Sequence, residues 1–336
     1  EHAVTLIKVA VRWIHALSLF NLKRSDYFIL FAACYLHDIS MVTLPDYTRF
    51  YTGTDTKPNQ ILTSVESALR KGDTIRSQQA LLSAYQEIDA YFERRIRSSH
   101  AQDSAQEIRR FRELDFLSAN TREFIARVSE AHGYGVLDVY GAKSTGKSEL
   151  INEKQIKILL RLSDLLDMSR YRVSDVILNH NLSKLGDVSR FHWISHLITD
   201  GCDITAEYIS TENQQSAQHG QNLLRNGCIT EKVVLTVNVL MSQTTPIHTK
   251  APCCSIAESN LSCGADGQPL IKLVCEGGAV CKPDVCNFLC KWFTLKNDYL
   301  LKEFGALKRY LNSIPEHFFA SEIEIRVKVI ADQKVP

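Results

Sequence analysis

Through most of the first half of the chain, hydrophobic positions recur with a helical period. From His2 to about Phe20, Leu6, Val9, Trp13 and Leu17 fall on one side of a wheel turning about 100° per residue, which predicts an amphipathic helix. His2 sits at the N-terminal end of that stripe, whereas His15 lies about 140° away from it and faces another direction. Ser25 or Asp26 suits the N-cap of a second helix, from Tyr27 to about Asp38. After Met41 the chain turns polar, with Pro45, Gly53 and Pro58, a loop signal. Helical patterns resume over Gln60 to Arg70 and about Ile75 to Arg97, then again from Ala105 toward Phe116, from Ala119 to Glu130 and from Lys154 to Met168. Near residue 180 the texture changes. Cys202 to Ile209, Val233 to Met241, Leu270 to Val274 and Glu322 to Ile330 are short, β-branched and partly alternating, which predicts strands. Val285 to Ile314 reads as a long helix, and residues 210–228 as a loop. The expected fold class is mainly α: a helical domain over residues 1–180, followed by a smaller α+β domain over residues 181–336.

Composition narrows the function. With 336 residues, 45% of them hydrophobic, the chain can bury a sizeable core. It contains no run of about 18 apolar residues, so no membrane span is expected, and no charged-then-apolar leader opens it. These features predict a cytoplasmic protein. A net charge of +1 argues against a broadly basic nucleic-acid binder. The ten cysteines, unaccompanied by a secretion signal, read as thiols or metal ligands rather than disulfides. The start at Glu1 and the finish in a strand-like run suggest a fragment of something longer.

Candidate chemistry centres on Phe31 to Ser40, an apolar helix that stops on His37-Asp38. Buried imidazole and carboxylate need polar partners, and a metal ion would supply one. Further candidates follow in order: His2, then His37-Asp38, His100, His132 and Asp164, each expected at or near a helix terminus in an apolar setting. Asp164 lies in Leu159-Leu160-Arg161-Leu162-Ser163-Asp164-Leu165-Leu166-Asp167, where an acid is costly unless coordinated or paired.

This ordered set resembles the HD superfamily of metal-dependent phosphohydrolases. The motifs that carry the resemblance are Tyr35-Leu36-His37-Asp38-Ile39, Arg97-Ser98-Ser99-His100 with Ser104, and the Asp164 run, all in about the first 180 residues. The resemblance implies an HD-type helical bundle whose core ligands are His2, His37, Asp38 and Asp164, with His100 and His132 extending the set toward two metals. It implies one or two divalent ions as cofactor, drawn from manganese, iron, nickel, magnesium and zinc, between which histidine/carboxylate sites discriminate poorly. It also implies hydrolysis of a phosphomonoester or phosphodiester of a nucleotide or nucleic acid. Asp38 would bridge two ions at the catalytic centre, and Arg97, Arg161 or Lys143 would contact phosphate, against surface or helix-pairing roles for the arginines. Asp167 is expected behind the ligands or as a cap rather than among them.

The leucine-rich run and the later Arg190-Phe191-His192-Trp193-Ile194 are similar to HD domains that precede chaperone-type (GHKL) ATPase domains in bacterial proteins. An ATPase domain further along a full-length protein would then be a partner, and a non-catalytic HD sensor or docking module is the rival function. Two departures stand out. His132 is followed by Gly133, where two-metal members often carry a second histidine. Gly133-Tyr134-Gly135-Val136 also lacks the Gly-Tyr-Pro signature of cyclic-dinucleotide phosphodiesterases.

Other signals are weaker. Gly141 to Ser148 matches the P-loop pattern after a strand-like Val136 to Tyr140, but neighbouring helices and the absence of following βα units favour a loop over the site. Cys253, Cys254, Cys263, Cys275, Cys281, Cys286 and Cys290 form no pair of CxxC motifs, so scattered thiols are favoured over zinc. His192 and His196 share a helical face without an intervening acid and read as packing. Arg94, Arg95 and Arg97, with Arg109, Arg110 and Arg112, read as solvated faces bordering an entrance at most.

Overall fold

The apolar stripe of the first segment forms α1 (His2–Ala16), which buries Leu6, Val9, Ala10, Trp13 and Ala16 on one face. In the computed structural model the described residues are 2–16, 22–42, 56–71, 74–141, 151–167, 170–174, 193, 196, 199–210, 228–240, 260–262, 269–275, 302–311, 313 and 322–330. Next comes α2 (Arg24–Leu36), starting two residues before the earliest start its expected caps, Ser25 or Asp26, would give. Lys23 is the N-cap, and Asp26 accepts the Lys23 backbone N–H at 2.8 Å. The fully buried Asp26 carboxylate also accepts the backbone and side-chain N–H groups of Asn152, at 2.8 and 3.0 Å, tying α2 to the start of a later helix.

After the short α3 (Ile39–Val42), α4 (Thr56–Arg70) packs on the first part of α5 (Thr74–Arg110) around a separate small cluster of Ile61, Val65 and Ala84. The break expected between Arg97 and Ala105 is absent: α5 is one helix of 37 residues, about 55 Å long. No Gly or Pro interrupts it, and Ser99 donates along the helix to Asp103 at 2.7 Å. Beyond Phe111 the chain makes only a 3-10 turn, Arg112–Leu114. Ser118 then caps α6 (Ala119–Glu130) by accepting the Thr121 N–H at 3.1 Å.

A 3-10 turn (Ala131–Gly133) leads to α7 (Val136–Tyr140). That segment had strand-like composition, yet it is helical, because Val139 and Tyr140 reach the core while Leu137 and Asp138 stay exposed. Following it, α8 (Glu153–Leu165) buries Ile156, Ile158, Leu159, Leu160, Leu162 and Ser163.

Five strands form one sheet in the order β1-β2-β5-β4-β3: β1 (Thr199–Ser210), β2 (Cys228–Leu240), β3 (Asn260–Ser262), β4 (Pro269–Cys275) and β5 (Glu322–Ile330). The β2/β5 and β4/β5 pairs are parallel, and the two outer pairs antiparallel. The expected strands are found, and β3 joins them. Between β4 and β5, residues 302–311 form α9.

One core spans both halves: Trp13 of α1 packs against Phe304 of α9 with ring centroids 5.8 Å apart, and Cys202, Ile204, Leu307 and Leu311 belong to the same cluster. A bulge at Gly201, whose φ of 131° favours glycine, lets the Cys202 carbonyl accept from Arg12 of α1. Arg12 also pairs with Asp203 at 3.0 Å. Among the described residues no helix is long and apolar enough to cross a membrane. The boundary expected near residue 180, the P-loop-like residues 142–148 with Lys143, His192, and the late cysteines other than Cys275 all lie outside the described residues.

Candidate metal centre

Five elements bring the candidate ligands together. His2 opens α1, at the end of its buried stripe. His37 is the C-cap of α2, 1% exposed, with its backbone N–H donated to Ala33 at 2.8 Å. The chain turns through Asp38 into α3, which is clamped to α5. Ser40 donates its N–H to the buried Ser104 hydroxyl at 3.2 Å and its own hydroxyl to the His100 carbonyl at 2.9 Å. His132 stands in the 3-10 turn after α6, and Asp164 in the last turn of α8. His100 departs from expectation, lying well inside α5 rather than at a terminus.

Local helical geometry orients the imidazoles. Nδ1 of His37 donates to the Cys34 carbonyl at 3.2 Å, Nδ1 of His100 to the Arg97 carbonyl at 2.7 Å, and Nδ1 of His132 to the Ser129 carbonyl, each three residues back. Nδ1 of His2 donates to Asp167. With the proton assigned to Nδ1 by those acceptors, each ring in its neutral, ligating form presents an Nε2 lone pair. The four Nε2 atoms converge: His2 and His37 are 3.3 Å apart, and His100 and His132 are 2.9 Å apart. Facing lone pairs at such distances repel unless a proton or a metal cation lies between them.

The carboxylates complete two groups. His2, His37 and Asp164 each offer one ligand atom within 4.8 Å of the others, and so do Asp38, His100 and His132. Asp38 reaches both groups. Its Oδ2 lies 3.4 Å from His37 Nε2 and 3.8 Å from His2 Nε2, while its Oδ1 lies 3.4 Å from His132 Nε2 and 3.7 Å from His100 Nε2. That Oδ1 is buried and has no hydrogen-bond partner among the described residues. An orphaned carboxylate oxygen facing bare imidazole nitrogens is chemistry that fits divalent cations with mixed nitrogen and oxygen ligands.

A family model, HD-CE, matches residues 1–226. The chain belongs to the HD-CE family. No curated protein and no solved structure matches it.

In this HD-CE chain the charges of the centre reinforce one another. Burial works against a charged His37, but Asp164 and Asp38 outweigh it and push the imidazole up to about 10. Burial likewise raises the Asp38 carboxyl, and the His132 and His37 rings overcome it, leaving Asp38 well below the usual carboxylate range. Asp164 is held below that range in the same way, chiefly by His37 against its own burial. Cys34 takes no part through its thiol, which burial, with help from Asp164, pushes up to about 12.

Behind these candidate ligands stand residues that hold them. Asp167, fully buried at its side chain, backs His2 and pairs with Arg172 at 3.0 Å. Arg161 is not available to phosphate: it donates to both Glu303 oxygens, at 2.8 and 2.7 Å, and to three backbone carbonyls around His132. Arg97 contributes its carbonyl to His100, and its side chain is exposed.

Gly133 is required by proximity. A Cβ there would lie 2.5 Å from the Cβ of Ala101, so the His132 turn can approach the His100 helix only without a side chain, which leaves no place for a second histidine. Sequence reading missed Arg172 and Glu303. Glu303 carried a signal, since it is an acid in register with Phe304, Leu307 and Leu311 on an otherwise apolar helical face.

Proposed function

We propose that this HD-CE protein is a metal-dependent phosphohydrolase cleaving a phosphomonoester or phosphodiester, in a nucleotide or nucleic acid. The supporting observation is the pair of His/carboxylate groups joined through Asp38. His2, His37 and Asp164 would hold one divalent ion, and Asp38, His100 and His132 a second, with manganese, iron, nickel, magnesium and zinc all compatible with the donor set. Bound ions of this kind lower the pKa of water and neutralise charge on phosphoryl oxygens. Asp38, ionised throughout the neutral range and touching both groups, is the residue on which catalysis centres. The Nδ1 donations keep the four imidazoles in the ligand tautomer, and Asp167 with Arg172 braces His2 from behind. Arg97, exposed one helical turn before His100, is assigned a phosphate contact.

Water attacks phosphorus, the P–O ester bond breaks, and the alcohol leaves with a proton. The same reading makes the protein cytoplasmic, with a helical domain through about residue 180 and an α+β annex that shapes the substrate entrance. An ATPase domain in a longer chain would be its partner.

The test is hydrolysis of an activated aryl phosphodiester, then of nucleotides and single-stranded nucleic acid, by protein stripped of metal and reloaded. His37→Ala and Asp38→Ala, checked for folding by circular dichroism, should lower the rate more than about 100-fold, as expected when Lewis-acid assistance worth several kcal/mol is lost. Retained metal with no hydrolysis of any of these substrates would instead support a non-catalytic HD sensor or docking module.

A further inference from the structure

Arg161 and Glu303 are separated by 142 positions in the chain and meet in the interior, with side chains 12% and 4% exposed. Arg161 Nε donates to one Glu303 oxygen at 2.8 Å and Nη2 to the other at 2.7 Å, the bidentate fork that carboxylates accept best. The third nitrogen, Nη1, donates to the carbonyls of Ala131 and His132, both at 3.1 Å, and of Tyr134 at 2.6 Å. These carbonyls follow the end of α6, where helix geometry leaves acceptors without intrahelical donors. The turn itself is slight, a single 3-10 turn closed by the Tyr134 N–H on Ala131 at 3.2 Å. Tyr140 is buried beside the pair, its phenol pushed well up by burial and by Glu303, so the surroundings are dry.

We propose that Arg161 and Glu303 form a strut through which the second half of the chain fixes His132, making both positioning residues for the Asp38/His100/His132 group. This rests on the two-ion reading of the centre. The guanidinium holds the turn only while its charge is balanced, and α9 supplies that balance through Glu303. The braces of the other group are separate: Asp167 with Arg172 behind His2, and the Cys34 carbonyl behind His37. Arg161 also feels the charge of Asp164 in that other group, but a cation stays at position 161 in either variant below, so loss of the strut weakens the His132 group and leaves the other in place. The annex is thereby coupled to the metal centre, and displacement of α9 would release the second ion before the first.

The experiment titrates metal-stripped full chain with manganese(II), reading the number and affinity of bound ions, and follows amide hydrogen exchange at Tyr134 in the metal-free protein. Glu303→Gln keeps the shape and removes the charge, and Arg161→Lys keeps the charge and removes the fork. Each should weaken the second ion roughly 10- to 100-fold, as outer supports of metal ligands do, leave the first unchanged, and speed exchange at Tyr134 but not at His37. The double variant should be no worse than either single one. Unchanged binding of both ions, or equal weakening of both, overturns the strut. Wild-type protein that binds no manganese overturns the two-ion reading instead, and the Tyr134 exchange then shows separately whether the strut holds the turn. Should Glu303→Gln not fold, Glu303→Asp gives the same comparison with the charge retained and the carboxylate drawn back by one methylene.

Discussion

At the scale of single residues, His37 carries the most consequential charge. With its imidazole pushed up to about 10, the metal-free protein keeps a proton on it at neutral pH, held between Asp164 and Asp38. A raised folded-state pKa contributes stability that is complete below about pH 6.5, the ordinary imidazole value, and is lost as pH rises through about 10. Melting of the metal-free protein should therefore decline between pH 7 and 10. A bound divalent ion must displace the same proton, so its affinity should rise about tenfold per pH unit for each proton released over that range. Calorimetric titrations in buffers of different ionisation enthalpy would count the protons, and an affinity flat with pH would show that His37 is not a ligand. That His37-Asp38 and Asp164 would come together, with Asp167 behind His2, could be read from residue type and order, because polar groups at the ends of apolar stripes need partners wherever they fall. Glu303 stood out only as an acid on an apolar helical face, and nothing near it in sequence announces that its partner is a guanidinium 142 positions away.

At the scale of elements, the approach of the His132 turn to α5 decides whether the second group exists. Gly133→Ala would press a methyl against Ala101, and the turn would have to retreat. Overpacking of this kind costs about 1–3 kcal/mol, which urea unfolding would register. Manganese titration should show the second ion weakened while the one at His2, His37 and Asp164 is retained. Unaltered binding in the alanine variant would mean that the turn has room to spare. Element identity was largely legible in the periodicity, including all four expected strands, yet the boundaries near His100 and Val136 were not. Serines in Arg97-Ser98-Ser99-His100 suggested an interruption that a helix without Gly or Pro does not need. The β-branched Val136 to Tyr140 run suggested a strand, but its setting between α6 and α8 demanded a helical turn.

At the scale of the whole molecule, the annex and the helical bundle share a core. Phe304 is 0% exposed and lies against Trp13, so Phe304→Ala should cost about 3–5 kcal/mol. Denaturant unfolding followed by tryptophan fluorescence would check this. Loss of only the far-ultraviolet signal of the sheet, with the bundle unmoved, would show that α9 contributes little to it. The sequence by itself determined the helical stripes, the strands, and the set of imidazoles and carboxylates that must find partners, because these follow from period and residue chemistry within short stretches. Even the Nδ1 donations of His37, His100 and His132 are local, each to a carbonyl three residues back. Only the tertiary structure decided that the six candidate ligands divide into two groups joined by Asp38, that Arg161 braces a backbone turn rather than greeting a substrate, and that Glu303 stands behind it. Those outcomes depend on distances between segments far apart in the chain, and such distances are set by packing one core rather than by any local preference.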